Sequence, residues 1–230
     1  EIAKDGPDTV VFRVTAHNRG PDAAPIHLIP NLWFRNVWSW SDQARRHPEI
    51  TFDGSRAGGA SLIADDSNAP PLAGLLADAR LGPHRLDLPG GVDVFFTDNE
   101  TNAERVYGSD AQPKSKFVKD AFHDRIIHSD EGAVNPEMHG TKGCARMRAV
   151  VPAGASTVMR MRLCPSSVEW TPLETVDQIV AARHAEADAF YESIHPPKAS
   201  VEERRVQRQA WAGMIWSKQS YLFDVDIWLE

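Results

Sequence analysis

Two polar clusters in this 230-residue chain carry the residue types that acid–base or binding chemistry needs. The first is Thr97-Asp98-Asn99-Glu100-Thr101-Asn102, directly after an apolar run that ends at Phe96. Paired carboxylates could serve as acid and base in glycoside hydrolysis, and strand-end loops commonly carry such groups. The same composition suits a solvated turn held by Asx hydrogen bonds. The second cluster is Lys119-Asp120-Ala121-Phe122-His123-Asp124, with His128 and His139 further along. This His spacing fits no standard metal pattern, so loop or lid contacts are the expected role and no metal is expected. Gly140-Thr141-Lys142-Gly143 reads as loop punctuation with one available cation.

Other signatures are missing. The chain has no phosphate-binding glycine loop, no dinucleotide fingerprint, no zinc-type Cys pair, no H-E-x-x-H and no G-x-S-x-G, so no cofactor is expected. Asn99-Glu100-Thr101 matches a glycosylation sequon, a motif common by chance. A net charge of −7 argues against a nucleic-acid partner. The two cysteines make no disulfide framework and point to a reducing, cytoplasmic compartment. No stretch approaches the ~20 apolar residues of a membrane span. Glu1-Ile2-Ala3-Lys4-Asp5 reads as mid-protein sequence without a signal peptide.

The clusters must be positioned by a largely β framework. Pro30 to Trp40 holds three of the seven tryptophans. With Ile26 and Leu28 it alternates, placing Ile26, Leu28, Leu32, Phe34, Trp38 and Trp40 on one face of one strand, with Phe34 in the core and Trp33 facing away. Asn31 and Arg35 between large aromatics also suit a sugar-contacting surface. Val10, Phe12, Val14 and Ala16 alternate likewise, and the turn Asn18-Arg19-Gly20-Pro21 suggests a hairpin with the Ile26 stretch. Short strands are expected at Ile50–Phe52 and Ala60–Ala64, around Gly54, Gly58 and Gly59. Ser67 to Pro71 reads as a loop, and 86–97 as strand, turn, strand. Residues 98–130 are long and weakly periodic. Cys144–Val151 and Ser156–Leu163 flank Pro152-Ala153-Gly154 as an expected hairpin. Thr171-Pro172-Leu173-Glu174 reads as a helix start, with Thr as N-cap and Pro at N1. Ser200-Val201-Glu202-Glu203 reads as a capping box opening a second helix. The broad apolar face of that helix, from Val206 to Tyr221, exceeds what a lone surface helix carries.

Several segments together resemble long bacterial glucosidase-like proteins, a group similar to glycoside hydrolase family 63 and the mannosylglycerate hydrolase-like enzymes. Asn31 to Trp40 resembles their N-L-W-F-R-N-T-W-S-W, Phe96 to Asn102 their F-T-E-N-E-T-N, and Val118 to Asp124 their V-K-D-G-F-H-D. Val134-Asn135-Pro136 and Gly140-Thr141-Lys142 also match, and Arg208 to Gln219 resembles R-Q-A-L-A-G-M-L-W-S-K-Q. The departures are Val37 for Thr, Asp98 for Glu, Ala121 for Gly and Trp211 for Leu; Asp98 for Glu shortens one carboxylate arm.

The resemblance implies a mainly β fold with C-terminal helices. It would comprise a galactose mutarotase-like super-sandwich portion over 1–167, a linker helix over 171–195, and the first helix of a truncated (α/α)6 barrel over 200–230. The acid and base of such proteins lie in barrel segments without counterpart here. The implied role is a non-catalytic part of an inverting α-glycosidase that braces the barrel. Asn99, Glu100, Asn102, Lys119, Asp120, His123, Asp124 and Lys142 would contact the carbohydrate. The missing barrel would be its partner, with a homodimer through helix 201–221 as another way to cover that face. Two rivals stand beside this reading. One is a mutarotase-like epimerase using His123 and Glu100; the other is a carbohydrate-binding module with exposed aromatics.

Overall fold

A computed structural model describes residues 1–36, 38–40, 46–55, 59–69, 80–108, 110–111, 114–217 and 225–229. The chain divides into two compact units, Glu1–Ala181 and Ala182–Glu230. In the first, the strands are β1 (Ile2–Lys4), β2 (Val10–His17), β3 (Ala24–Leu28), β4 (Asn31–Trp33), β5 (Glu49–Asp53), β6 (Gly59–Asp65), β7 (His84–Pro89) and β8 (Asp93–Thr97). Helices α1 (Ala103–Tyr107) and α2 (Ala121–Ile127) follow, then β9 (His139–Gly140), β10 (Lys142–Val151), β11 (Ser156–Pro165) and the start of α3 (Thr175–Ile194).

The strands form two antiparallel sheets. One has the order β1-β2-β11-β7-β6-β5-β9. In the other, β10 pairs with β3 and β4 along one side and β8 along the opposite side, since Lys142 is registered with both Trp33 and Thr97. One core takes side chains from both sheets: Ile50, Leu62, Leu86, Leu88, Met159 and Met161 from the larger, Phe96 and Ala145 from the smaller. The outer faces are covered too. Leu173, Val176 and Val180 pack on Val11 of the larger sheet, and Phe122 with Ile126 of α2 packs on Phe95 and Cys144 of the smaller. Both parities of the central strands are therefore apolar or paired, as sheets covered on both sides require.

The outer face of the larger sheet is polar yet buried. Arg85 and Asp87 are each 1% exposed and form an ion pair at 3.0 Å, with Ser61 donating to Asp87 at 2.8 Å. Arg162 donates to Thr171 O and Thr175 Oγ1, both at 2.8 Å, and Asp177 takes a two-pronged contact from Arg160 at 3.0 and 2.6 Å. These bonds seat the start of α3. Residues 171–174 form the turn that Arg162 holds, so the helix begins at Thr175 and not after a Thr171 cap.

The strand expectations change as well. The single strand from Ile26 to Trp40 is broken at Ile29–Pro30 and ends at Trp33, because proline offers no N–H to the ladder. Both pieces keep one register on β10, with Leu28 opposite Met147 and Asn31 opposite Cys144. Leu28, Leu32 and Phe34 accordingly still face the core, while Trp33 is 56% exposed. Trp38 to Trp40 form a 3-10 turn; Val37 and the Trp40 side chain lie outside the described residues, as do Gly58, 70–71 and positions 218–221, over which the sequence predicts that the second helix continues.

Neither expected hairpin forms a ladder between its own arms. β2 pairs with β1 and β11, β3 pairs with β10, and β10 and β11 lie in different sheets. Both short turns are corners where the chain crosses between sheets, tied together by Asn18 N to Ala155 O at 2.9 Å and Gly154 N to Asn18 O at 3.0 Å. The Pro89-Gly90-Gly91 turn likewise joins β7 and β8 of different sheets.

In the second unit the remainder of α3 pairs with α4 (Val201–Trp216), and α5 (Val225–Leu229) follows. The Ser200–Glu203 capping box is present in both directions. Arg204 and Arg208 bond to Glu192 and Asp188, a matching four-residue step on each helix, and Trp211 stacks on Tyr191. Val206, Met214, Ile215 and Trp216 stay exposed, the last at 82%.

Candidate functional site

Residues 98–102 and 119–124, far apart in sequence, are stitched together by backbone. Lys119 N donates to Glu100 O at 2.9 Å, and Asp98 N donates to Phe117 O at 2.8 Å. The Asp98 carboxylate accepts from Ser115 Oγ at 2.6 Å and from Thr141 N at 3.2 Å, which fastens the loop to the residues before β10. Gly140 permits that closeness: a Cβ there would stand 2.4 Å from Thr97 O.

Glu100 is 7% exposed. Its carboxylate accepts from the Trp38 indole N–H at 2.6 Å, and Ser39 Oγ lies 2.7 Å from each of its oxygens. Asn36 Nδ2 reaches Asn99 O at 2.8 Å, Asn36 Oδ1 accepts from Ser39 N, and Asn99 Nδ2 reaches Phe34 O at 2.9 Å. The aromatic segment and the first polar cluster are thus one hydrogen-bonded assembly. This is what the 3-10 turn at Trp38 achieves that a continued strand could not.

Asn102 caps α1 by accepting from Arg105 N at 3.1 Å, and its amide reaches Asp120 at 3.3 Å. Asp120 also takes Arg105 Nη1 at 2.9 Å. Burial alone would raise the Asp120 carboxyl, but the hydrogen bonds from Arg105 and Asn102 outweigh it and hold it below the ordinary Asp value. Its charged form therefore adds stability that is complete above the unfolded value of about 3.9 and is lost as pH falls through the depressed folded value. Asp120→Asn should cost about 0.5–1 kcal/mol at pH 7, since Arg105 is mostly exposed, and almost nothing at pH 2. Urea midpoints of the two proteins at both pH values check this; an unchanged gap would contradict it.

Lys142 is half-buried. Its ammonium donates to Lys119 O at 2.7 Å and stands 5.1 Å from the Phe122 ring centre, and burial lowers its pKa. Two residues along β10, burial pushes the Cys144 thiol up to about 12, which leaves it unreactive.

Clefts open along these loops. One of about 540 Å3 has apolar walls from Trp33, Phe122 and Ile126, with Asn99, Lys119, Asp120, His123 and Lys142 between them. A second, of about 410 Å3, is lined by Ser39, Asn99, Glu100, Tyr107, Lys114 and Lys119. Asn99 and Lys119 form the wall common to both. Asn102 and Asp124 line a third recess with Arg105. The structure thus brings Asn99, Lys119, Asp120, His123 and Lys142 to one cleft and Glu100 to its neighbour, leaving Asn102 and Asp124 in the recess beside Arg105. His123 and Glu100 share no described cleft. His139 is elsewhere, against Glu49 and Glu137 at 3.2 and 3.1 Å. Among the described residues no group of three or more His, Cys, Asp or Glu side chains is arranged to hold a metal ion.

No protein-family profile matches the chain. An uncharacterised protein of Saccharomyces cerevisiae, YMR196W, is 32% identical over 262 aligned positions. The alignment takes in 99% of this chain but only 23% of the yeast protein, so the chain spans under a quarter of that relative's length. Among the described residues no helix is long and apolar enough to cross a membrane.

Sequence reasoning missed Asn36, Trp38, Ser39, Tyr107 and Lys114 as parts of the site. Ser39 shares the parity of Asn31 and Arg35 and so reads as the outer face of a strand, while Asn36 falls on the parity of Phe34 and Trp38 and takes no role from the pattern. Only the Pro30 break pointed to a change of course, and nothing local pairs Ser39 with Glu100, 61 positions away.

Proposed function

We propose that this chain is the non-catalytic sandwich-and-helix portion of an inverting α-glycosidase-like protein, with the loops at 98–102 and 119–124 forming part of a sugar pocket's rim. The observation that carries the reading is the convergence of both loops on the Asn99–Lys119 wall, with Glu100 and Asp120, the carboxylates lining its two clefts, already hydrogen-bonded. Glu100 is taken by Trp38 and Ser39, and Asp120 by Arg105. Glu100 already serves as the acceptor for two scaffold donors and Asp120 is held below its ordinary value, which supports positioning as the role. The super-sandwich and first-barrel-helix assignments belong to this proposal. They are supported by the two-layer core and by the uncovered Met214, Ile215 and Trp216, which suit burial against further helices.

A binding-module reading draws on the exposure of Trp33 and Tyr107 at 56% and 76%, each on the rim of a cleft. In the complete protein Trp33→Ala and Tyr107→Ala should each raise KM about fivefold, the size of roughly 1 kcal/mol of aromatic contact. kcat should stay within about twofold, because such contacts hold ground and transition states alike. Steady-state kinetics decide it; a collapse of kcat with KM unchanged would make the rim part of the reacting machinery.

A further inference from the structure

We propose that Lys114, Lys119 and Lys142 form a site for the phosphate of a phosphorylated sugar, with the sugar ring lying along the Asn99–Lys119 wall; this rests on the carbohydrate reading above and names its ligand class. The three lysines line the paired clefts: Lys114 and Lys119 one, Lys119 and Lys142 the other, with Lys119 common to both. Each bonds to a neutral oxygen. Lys114 donates to Ser39 O at 2.9 Å, Lys119 to Thr101 Oγ1 at 3.1 Å, and Lys142 to Lys119 O at 2.7 Å. Among the described residues none of the three forms an ion pair, in a chain whose net charge is −7.

The carboxylates nearest them already accept hydrogen bonds from other groups, although Asp120 Oδ1 takes none and the Asp120 charge is felt at Lys142. Glu100 points into Trp38 and Ser39, and Asp120 is held by Arg105 and Asn102. Lys142 is the anchor. It is half-buried beside Phe122, so its charge lacks part of its water shell, and a bound dianion would supply what burial removes. The donor geometry favours phosphate over carboxylate. A planar carboxylate is best met by the two-pronged guanidinium, and the guanidinium of Arg105 is taken by Asp120. A tetrahedral phosphate accepts separate point-charge donors from several directions, which lysines suit better than a planar guanidinium, and Lys119 is present in either cleft.

Calorimetric titration of the 230-residue chain with glucose 6-phosphate, glucose, glucuronate and inorganic phosphate tests the inference. Glucose 6-phosphate should bind at least about tenfold tighter than the other three, with an affinity that falls as salt screens the ammoniums. Lys119→Gln should weaken it about tenfold, the usual loss for one charge-assisted hydrogen bond, and Lys114→Gln somewhat less. Arg205→Gln, on the exposed side of α4, should change nothing. Thermal melts verify that each variant is folded, and both lysines substituted are exposed. Equal affinity for glucose and glucose 6-phosphate would overturn the inference while leaving the carbohydrate reading standing. Inorganic phosphate or glucuronate binding as tightly as the sugar phosphate would overturn it, as would no binding of any probe. In the last case the KM changes at Trp33 and Tyr107 still judge the carbohydrate reading independently.

Discussion

Asp87→Ala should destabilise the first unit by about 3–5 kcal/mol, the range for removing one partner of a buried ion pair. Arg85 and Asp87 stand two apart on β7, on one side of the strand, while Leu86 and Leu88 face the core. Both charged residues are 1% exposed, so losing the carboxylate leaves a guanidinium with no water to solvate it. Arg85 would keep its bonds to Ser166 O and Val168 O, at 3.0 and 2.6 Å, but those carbonyls cannot neutralise it. The double variant Arg85→Met with Asp87→Leu should recover most of the loss, because the desolvation cost disappears along with the pair. Urea melts give the comparison. An Asp87→Ala chain within about 1 kcal/mol of the parent would mean that water reaches the pair.

The second large effect is expected at Glu100. Glu100→Ala removes the acceptor of the Trp38 indole and of Ser39, and Trp38 is itself only 7% exposed. A charged acceptor bond contributes about 1.5–3 kcal/mol, and a stranded buried donor costs about 1–3 kcal/mol. A total loss of about 2–4 kcal/mol is expected after local relaxation, with a change in tryptophan emission from Trp38. Glu100→Gln should lose about half as much, since its amide oxygen still serves the indole while Ser39 must turn to accept. Glu104→Ala is the exposed control and should stay within about 0.5 kcal/mol. Equal losses at 100 and 104 would remove Glu100 from the assembly described above. The point bears on function, because a carboxylate that holds the scaffold is not free to move a proton.

Alternation in the sequence was a good guide to faces and a poor one to partners. Leu28, Leu32 and Phe34 point into the core as their spacing predicts, and the capping box at Ser200 and Glu203 forms as written. Period two, however, reports only that successive side chains oppose each other. It cannot say whether a tight turn returns the chain to the same sheet or carries it to the facing one. Asn18–Pro21 and Pro152–Gly154 therefore looked like hairpin turns and are corners. The pattern Arg160-Met161-Arg162-Leu163-Cys164 likewise marks one polar side of β11. That this side is buried under α3 depends on Asp177, Thr171 and Thr175, which no strand-local rule connects to it. The site divides the same way. Both polar clusters were legible from composition at strand ends, and their meeting was not, because it is made by single backbone bonds such as Lys119 N to Glu100 O. Glu100 reads as an acid–base candidate or a solvated turn residue because its two donors lie some sixty positions earlier, in a segment read as a strand with one face in the core.

The central claim is that these loops position a sugar and do not cleave it. Inverting hydrolysis needs a protonated acid and a base carboxylate roughly 6.5–9.5 Å apart across the bond, with the acid's pKa raised by a dry pocket. Here Asp120 is held below its ordinary value and Glu100 is hydrogen-bonded inward. The most direct measurement is to incubate the purified chain with a panel of aryl α-glycosides and α-linked disaccharides and follow product release. No turnover above the uncatalysed rate is predicted. Turnover that Glu100→Gln abolishes, in protein shown to be folded, would contradict the account and make this unit an enzyme in its own right.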